Sequence, residues 1–144
     1  MQLNISTDYA IRSLLYLATV ERQASSSEIS KAMSIPDNYL YAVMGKMKKA
    51  GLARATRGVN GGWSLSKEPD KISLLDIIEV MEGTIKINRC LQDDHYCSRD
   101  ASSDCPVHDF YNEVQMQVEA YFRGVSLAQL RDRNWQPVKE IGCE

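Results

Sequence analysis

Residues 25–67 read SSSEISKAMSIPDNYLYAVMGKMKKAGLARATRGVNGGWSLSK. The stretch holds two helical patterns, a turn, and two extended runs around a glycine-rich tip. Ser25 and Glu28, three residues apart, have the form of a capping box. Ile29 and Met33 give the helix that follows one apolar face. Ser34-Ile35-Pro36-Asp37 predicts a turn. Pro36 suits the turn or the first helical position, and Asp37 suits a cap. Leu40, Val43, Met44 and Met47 form the buried stripe of a helix over about 37–50. Lys46, Lys48 and Lys49 crowd its last turn, where the helix dipole favours cations, and Gly51 closes it. Extended segments over about 52–57 and 63–67 flank Gly58-Val59-Asn60-Gly61-Gly62, which supplies the positive-φ positions of a hairpin.

Upstream, Ile11, Leu14, Leu15 and Ala18 predict a helix over about 8–21 with Thr7 as its N-cap. Three helices followed by a hairpin is the order of a winged helix-turn-helix. Downstream, Leu74, Ile77, Ile78 and Met81 predict a fourth helix over about 74–82, capped by Ser73 and ended by Gly83. Residues 86–105 show no period, and so long an irregular stretch in a compact chain points to function. Pro106 then opens a long helix to about Phe122. Its stripe of Val107, Phe110, Val114, Val118, Tyr121 and Phe122 is longer than a small domain can cover, which predicts a dimerisation helix. Packing back on its own domain is the alternative. Ser126 is expected to cap a last short helix to about Arg131.

The expected fold is mainly α with a small β-hairpin wing: a winged helix-turn-helix plus a long dimerisation helix. The expected units are a DNA-binding domain over 1–83, a cysteine-bearing loop over 84–105, the dimerisation and short C-terminal helices over 106–133, and a tail over 134–144.

Residues 1–66 hold eight Lys/Arg against four Asp/Glu, a net of +4; the remainder holds nine against fifteen, a net of −6. A basic half joined to an acidic half assigns contact with a polyanion to the first. The N-terminal apolar residues are interrupted by Asp8 and Arg12, unlike a signal peptide, and no apolar run approaches a membrane span. A cytoplasmic protein is expected, without membrane contact. Thiols are kept reduced there, so the four cysteines point to metal or redox chemistry rather than a disulfide framework.

A helix-turn-helix sets its second helix in the major groove with N-terminal side chains on base edges. Those exposed positions here are Asp37, Asn38, Tyr39, Tyr41 and Ala42. Asn38 suits a bidentate pair with adenine, and Tyr39 and Tyr41 suit phosphates or a thymine methyl. In the bland reading Tyr39 is partly core and Tyr41 ordinary surface. Arg57 at the wing suits a narrow minor groove, and Asn60 with the N–H groups of Gly61 and Gly62 suits phosphate oxygens. A nucleotide-binding glycine loop is excluded by context, since no strand-to-helix Gly-x-Gly-x-x-Gly or Walker sequence is present.

Cys90, Cys97 and Cys105 follow a Cys-x6-Cys-x7-Cys spacing, unlike the Cys-x2-Cys of a zinc ribbon. Three thiols on an irregular loop can wrap an iron–sulfur cluster; one zinc ion or bare thiol sensing are the alternatives. Cys105 and His108 stand three apart at a helix start, so both can point one way. Arg89 and Arg99 can offset the negative charge of a thiolate-bound cluster. His95 reads as solvated and Cys143 as an unremarkable tail thiol. No nucleophile–base set or paired catalytic carboxylates stands out, so an enzyme is not expected.

Met1-Gln2-Leu3, Ser6-Thr7-Asp8-Tyr9-Ala10, Ala50-Gly51-Leu52, Arg57-Gly58-x-x-Gly61-Gly62 and the cysteine trio resemble the iron–sulfur winged-helix repressors of the Rrf2 family, which includes the IscR, NsrR and RirA types. The resemblance covers roughly residues 1–133. It implies a homodimer joined by the long helix, palindromic operators in double-stranded DNA, and a 2Fe-2S or 4Fe-4S cluster whose state changes DNA affinity. The implied thiolate ligands are Cys90, Cys97 and Cys105. The implied fourth ligand is His108, as in the IscR type with its 2Fe-2S cluster. The alternative is Asp8, which in some NsrR-type members reaches a 4Fe-4S cluster of the partner subunit. The cysteine spacings exceed the family's usual ones, and Tyr41 stands where the IscR type has an acid, so the operator is expected to differ. The expected function is a repressor whose cluster senses nitric oxide, redox or iron status; the alternative is a winged-helix regulator that senses oxidants through its thiols or holds zinc.

Overall fold

The computed structural model describes residues 2–136. Helix α1 runs Ile5–Val20, α2 Ser26–Met33 and α3 Asp37–Lys49. Strands β1 (Ala53–Thr56) and β2 (Gly62–Leu65) form an antiparallel hairpin with Ala53 opposite Leu65 and Thr56 opposite Gly62. Helix α4 spans Leu74–Glu82, α5 Pro106–Gly124 and α6 Leu127–Asp132. The winged helix-turn-helix order is therefore present, with the long helix behind it.

Helix α1 is the centre of the head and packs on α2, α3, α4, α6 and β2. Its apolar period buries Ala10, Leu14, Leu17 and Ala18 against Ile29, Leu40, Met44, Met47, Ile72 and Ile77. The helix begins earlier than Thr7, because Asn4 is its N-cap and accepts the Ser6 N–H at 3.2 Å. Thr7 is fully buried, and its hydroxyl donates to the Glu82 carboxylate at the end of α4. The same oxygen accepts the Asn4 N–H at 2.8 Å. A partner 75 residues away thus takes the hydroxyl that local sequence offers as a cap.

Two other local expectations need correction or division. Asp37 is the first residue of α3 and makes no cap bond; Pro36 holds the N-cap position. The Ser25 cap forms, with the Glu28 N–H donating to Oγ at 3.1 Å, but the reciprocal half does not. Glu28 instead accepts from the Tyr16 hydroxyl at 2.7 Å and from Arg22 at 2.6 and 3.2 Å. Charge-assisted and phenolic donors outbid one backbone amide for that carboxylate. The full reciprocal box occurs on α4, between Ser73 and Asp76.

Helix α6 belongs to the head as well. Leu127 is fully buried in the core. Backbone N–H groups of Leu74 and Leu127 donate to Val125 and Ile72 at 2.8 and 2.9 Å. Helix α6 thus packs on α1, across the boundary expected at residue 83. Between α4 and α5 the chain has two single 3-10 turns, Arg89–Leu91 and Ser102–Asp104. Among the described residues no helix is long and apolar enough to cross a membrane.

The Arg22 guanidinium, then the Tyr16 hydroxyl, holds the Glu28 carboxyl down at about 2. A lowered carboxyl contributes stability above its unfolded value and loses it as pH falls through the folded one. We expect Glu28→Gln to destabilise the chain at pH 7 and the difference from the native chain to shrink between about pH 4.5 and 2. Urea unfolding at stepped pH reads this; a pH-independent difference would refute the ion-pair origin.

Candidate nucleic-acid interface and cysteine loop

Helix α3 turns Leu40, Val43, Met44 and Met47 into the core. The opposite face carries Asn38, Ala42, Gly45 and Lys49, at the i, i+4, i+7 and i+11 positions of one stripe. Tyr41 is 63% exposed on one flank. Tyr39 is 43% exposed, and its ring meets Tyr9 of α1 edge-on at 5.6 Å, so both the surface and the partial-core readings of it apply. Arg12 lies over Tyr9 at 5.0 Å and donates to the Met33 carbonyl at 2.8 Å, holding the end of α2 beside the start of α3. A glycine inside a helix costs about 1 kcal/mol relative to alanine. A Cβ on Gly45 would meet nothing within 4 Å, so packing within the chain does not require that glycine.

The wing follows α3, and its first strand packs on that helix. Arg57, Val59 and Asn60 are exposed at its tip. The Gly61 N–H donates to the Gly58 carbonyl at 3.0 Å, so it is not free for phosphate as the sequence suggested. Gly61 and Gly62 instead serve close approach. A Cβ on Gly61 would lie 2.3 Å from the Thr56 carbonyl oxygen, and one on Gly62 would lie 2.6 Å from that of Ala24. At this contact Ala24 and Trp63 exchange both backbone hydrogen bonds, at 3.0 and 2.8 Å. The Trp63 indole N–H donates to Ser26 Oγ at 3.0 Å. The wing is thereby pinned to the start of α2.

Cys90, Cys97 and Cys105 are half-buried free thiols on the segment between α4 and α5. Asn88 donates an amide hydrogen to Cys90 Sγ at 3.3 Å. Backbone N–H groups of Ala101 and Arg99 hold the Cys97 thiol below its ordinary value against the opposing effect of burial. His108, in the first turn of α5, has a buried Nδ1 with no hydrogen-bond partner. The donor chemistry of three thiols and an imidazole fits a thiophilic centre. No group of three His, Cys, Asp or Glu close enough to hold one metal ion is present among the described residues. Asp8 is exposed and its carboxylate accepts from Arg12 at 2.8 Å. Arg89 is engaged with Asp94 and lies over Tyr96 at 5.4 Å, so its charge goes there and not to the thiols. His95 is exposed, as expected. Cys143 lies outside the described residues.

The stripe of α5 divides. Val118 and Phe122 turn inward and line a cavity of about 360 Å³ with Leu3, Ile78, Ile85 and Ile87. Val107 and Phe110 stay 54% and 61% exposed. The sequence reading missed Gln115, only 2% exposed on the inward face. Its amide accepts the Ile87 N–H at 2.8 Å and donates to the Ile85 carbonyl at 3.2 Å and to Glu119 at 2.9 Å. Lys86 completes the set on Glu119 at 2.7 Å. These bonds fasten the first residues of the cysteine loop to α5. The signal was a lone amide in register with the apolar side of a helix.

Comparison with known proteins adds identity to this geometry. A family model described as Rrf2, an iron-dependent transcriptional regulator, matches residues 3–133. A protein of Aquifex aeolicus (strain VF5), named as an HTH-type transcriptional regulator, is 38% identical over 123 residues, 85% of each chain. Protein aau3 of Rhizobium meliloti (strain 1021) is 30% identical over 110 residues, 76% of this chain and 67% of the relative. Among solved structures, CymR (YrzC), described as the global cysteine regulator of B. subtilis, is 24% identical with a TM-score of 0.77, covering 92% of this chain and 98% of its own. IscR of T. potens is 22% identical with a TM-score of 0.73, covering 99% of this chain and 94% of its own. At these identities the two structures establish the fold.

Gly62→Ala is expected to lower stability by about 1–3 kcal/mol, as overpacking against fixed backbone does. Urea denaturation followed by circular dichroism measures it. Unchanged stability would show that the Ala24 carbonyl is free to move.

Proposed function

The chain belongs to the Rrf2 family of DNA-binding transcription regulators, and on that footing we propose that it is a homodimeric repressor whose operator affinity is set by an iron–sulfur cluster on residues 90–108. Cys90, Cys97, Cys105 and His108 are the proposed ligands, with Asp8 as the alternative fourth. The observation that carries this reading is the pairing of three reduced, half-buried thiols with a buried imidazole nitrogen that lacks any partner. A buried polar atom without a partner costs about 1–3 kcal/mol, which ligation would recover. When bound, such a cluster supplies a centre that nitric oxide, oxygen species or iron shortage alters.

The chain's own residues supply the coupling. Gln115 holds Ile85 and Ile87, so displacement of the 84–105 segment bears on α5. The exposed Val107 and Phe110 favour pairing of α5 with a second copy. Two heads so joined present two α3 helices, which suits a palindromic operator with half-sites about one helical turn apart. A small shift of α5 then costs contacts in both half-sites. Asn38, Tyr39 and Tyr41 are the proposed readers, and Arg57, Asn60 and the wing shaped by Gly61 and Gly62 the proposed clamp.

A second reading keeps the DNA and replaces the cluster with direct thiol sensing or a zinc ion. The lowered Cys97 thiol and the absence, among the described residues, of a group close enough to hold one ion favour the thiol version. One solved relative of the same fold, 23% identical with a TM-score of 0.70, is CymR of Staphylococcus aureus in an oxidised form.

Protein prepared without oxygen is expected to be coloured, to carry iron and sulfide, and to lose at least about tenfold in operator affinity on nitric oxide treatment, a change of roughly 1.4 kcal/mol. Equal binding before and after removes the sensing claim, and a colourless preparation selects the second reading, thiol or zinc. Separately, Arg57→Ala should weaken binding across sequences and reduce the magnitude of the salt slope by about 1. Titrations at several salt concentrations would expose an unchanged slope.

A further inference from the structure

We propose that Gly45 is a specificity-determining position: with Ala42 it forms a bare notch on the reading face of α3 that seats thymine methyl groups beside an adenine read by Asn38. The inference rests on the reading of α3 as the DNA-facing helix and names the base pairs it selects.

The face opposite the buried stripe runs Asn38, Ala42, Gly45, Lys49. Its middle has no side chain beyond one methyl group. Gly45 has ordinary helical backbone, so no positive φ asks for glycine there. A Cβ at Gly45 meets nothing within 4 Å, so no neighbour in the chain asks for it either. The helix nevertheless carries its weakest helix former short of proline at this position. The demand then comes from outside the chain, from a surface that approaches closer than a Cβ allows.

In the major groove the thymine 5-methyl is the apolar feature, and alanine is one of the groups that packs on it. Asn38, one turn before Ala42 on the same face, carries the amide that pairs with adenine N6 and N7. Lys46, Lys48 and Lys49 lie towards the other end, where cations suit phosphates. The stripe's one cation, Lys49, lies in the last turn of α3, away from the base-edge positions at its start, and no carboxylate lies on the stripe to take cytosine. The stripe therefore reads A·T pairs.

The test selects bound duplexes from a random pool with the full chain, then compares them with copies carrying uracil for thymine. Selected half-sites should place A·T pairs under α3, and the uracil copies should bind the native chain about three- to tenfold more weakly. Gly45→Ala should melt a few degrees higher. It should bind the selected duplex about tenfold more weakly and respond less to loss of the methyl. Full affinity in the stabilised variant, equal binding of uracil duplexes, or G·C pairs under α3 would each overturn the proposal. The uracil comparison uses the unaltered chain, so it decides even if the variant folds poorly. Failure to select any duplex would overturn the DNA-reading role itself, and this notch with it.

Discussion

The approach of Ala24 to Gly62 and Trp63 fixes the wing relative to the helical core that carries α3. Two backbone hydrogen bonds at 3.0 and 2.8 Å join the end of the α1–α2 turn to β2. An isolated two-stranded hairpin is marginal in water, and this bridge adds a third edge to it. The approach leaves no room for a Cβ at residue 62. The Trp63 indole and Ser26 then tie the same point to the first turn of α2. Since α2 packs on α1 and α3, this bridge ties the wing to the same core as α3.

Helix α5 works in a different regime. One face serves its own head through Val118, Phe122 and the buried Gln115. Another leaves Val107 and Phe110 in solvent. The cysteine segment is attached to α5 through Ile85, Lys86 and Ile87, through the turn Arg89–Leu91 with its buried Leu91, and where it enters α5. Between those points it has single helical turns rather than an extended hydrogen-bonded ladder. Segments with few buried apolar contacts are the ones that open or rearrange at low cost. A pinned wing beside a thiol-bearing loop short of regular structure is a physically suitable pair for a regulator.

Much of this was legible in residue order. The buried stripe of α3 at Leu40, Val43, Met44 and Met47, the glycine run of the hairpin, and the Ser73 and Ser126 caps follow from periodicity and turn chemistry alone. Two of the errors share one cause. Thr7, Glu28 and Asp37 were read against neighbours three or four residues away, but tertiary contacts claimed the first two. Thr7 bonds Glu82, and Glu28 bonds Arg22 and Tyr16. Sequence offers the Gly61 N–H to phosphate oxygens, whereas the turn it helps to make consumes it.

Sequence by itself determined the order of elements, the core face of each helix, and the identity of the donor atoms on the cysteine loop. All of these depend on spacing along the chain and on side-chain type. Only the tertiary structure decided which polar groups were already partnered, that α6 returns to the head, and that the α5 stripe splits between two faces. Most of those outcomes are set by groups outside the local period competing for the same hydrogen bond or the same apolar surface, and local spacing holds no record of that competition.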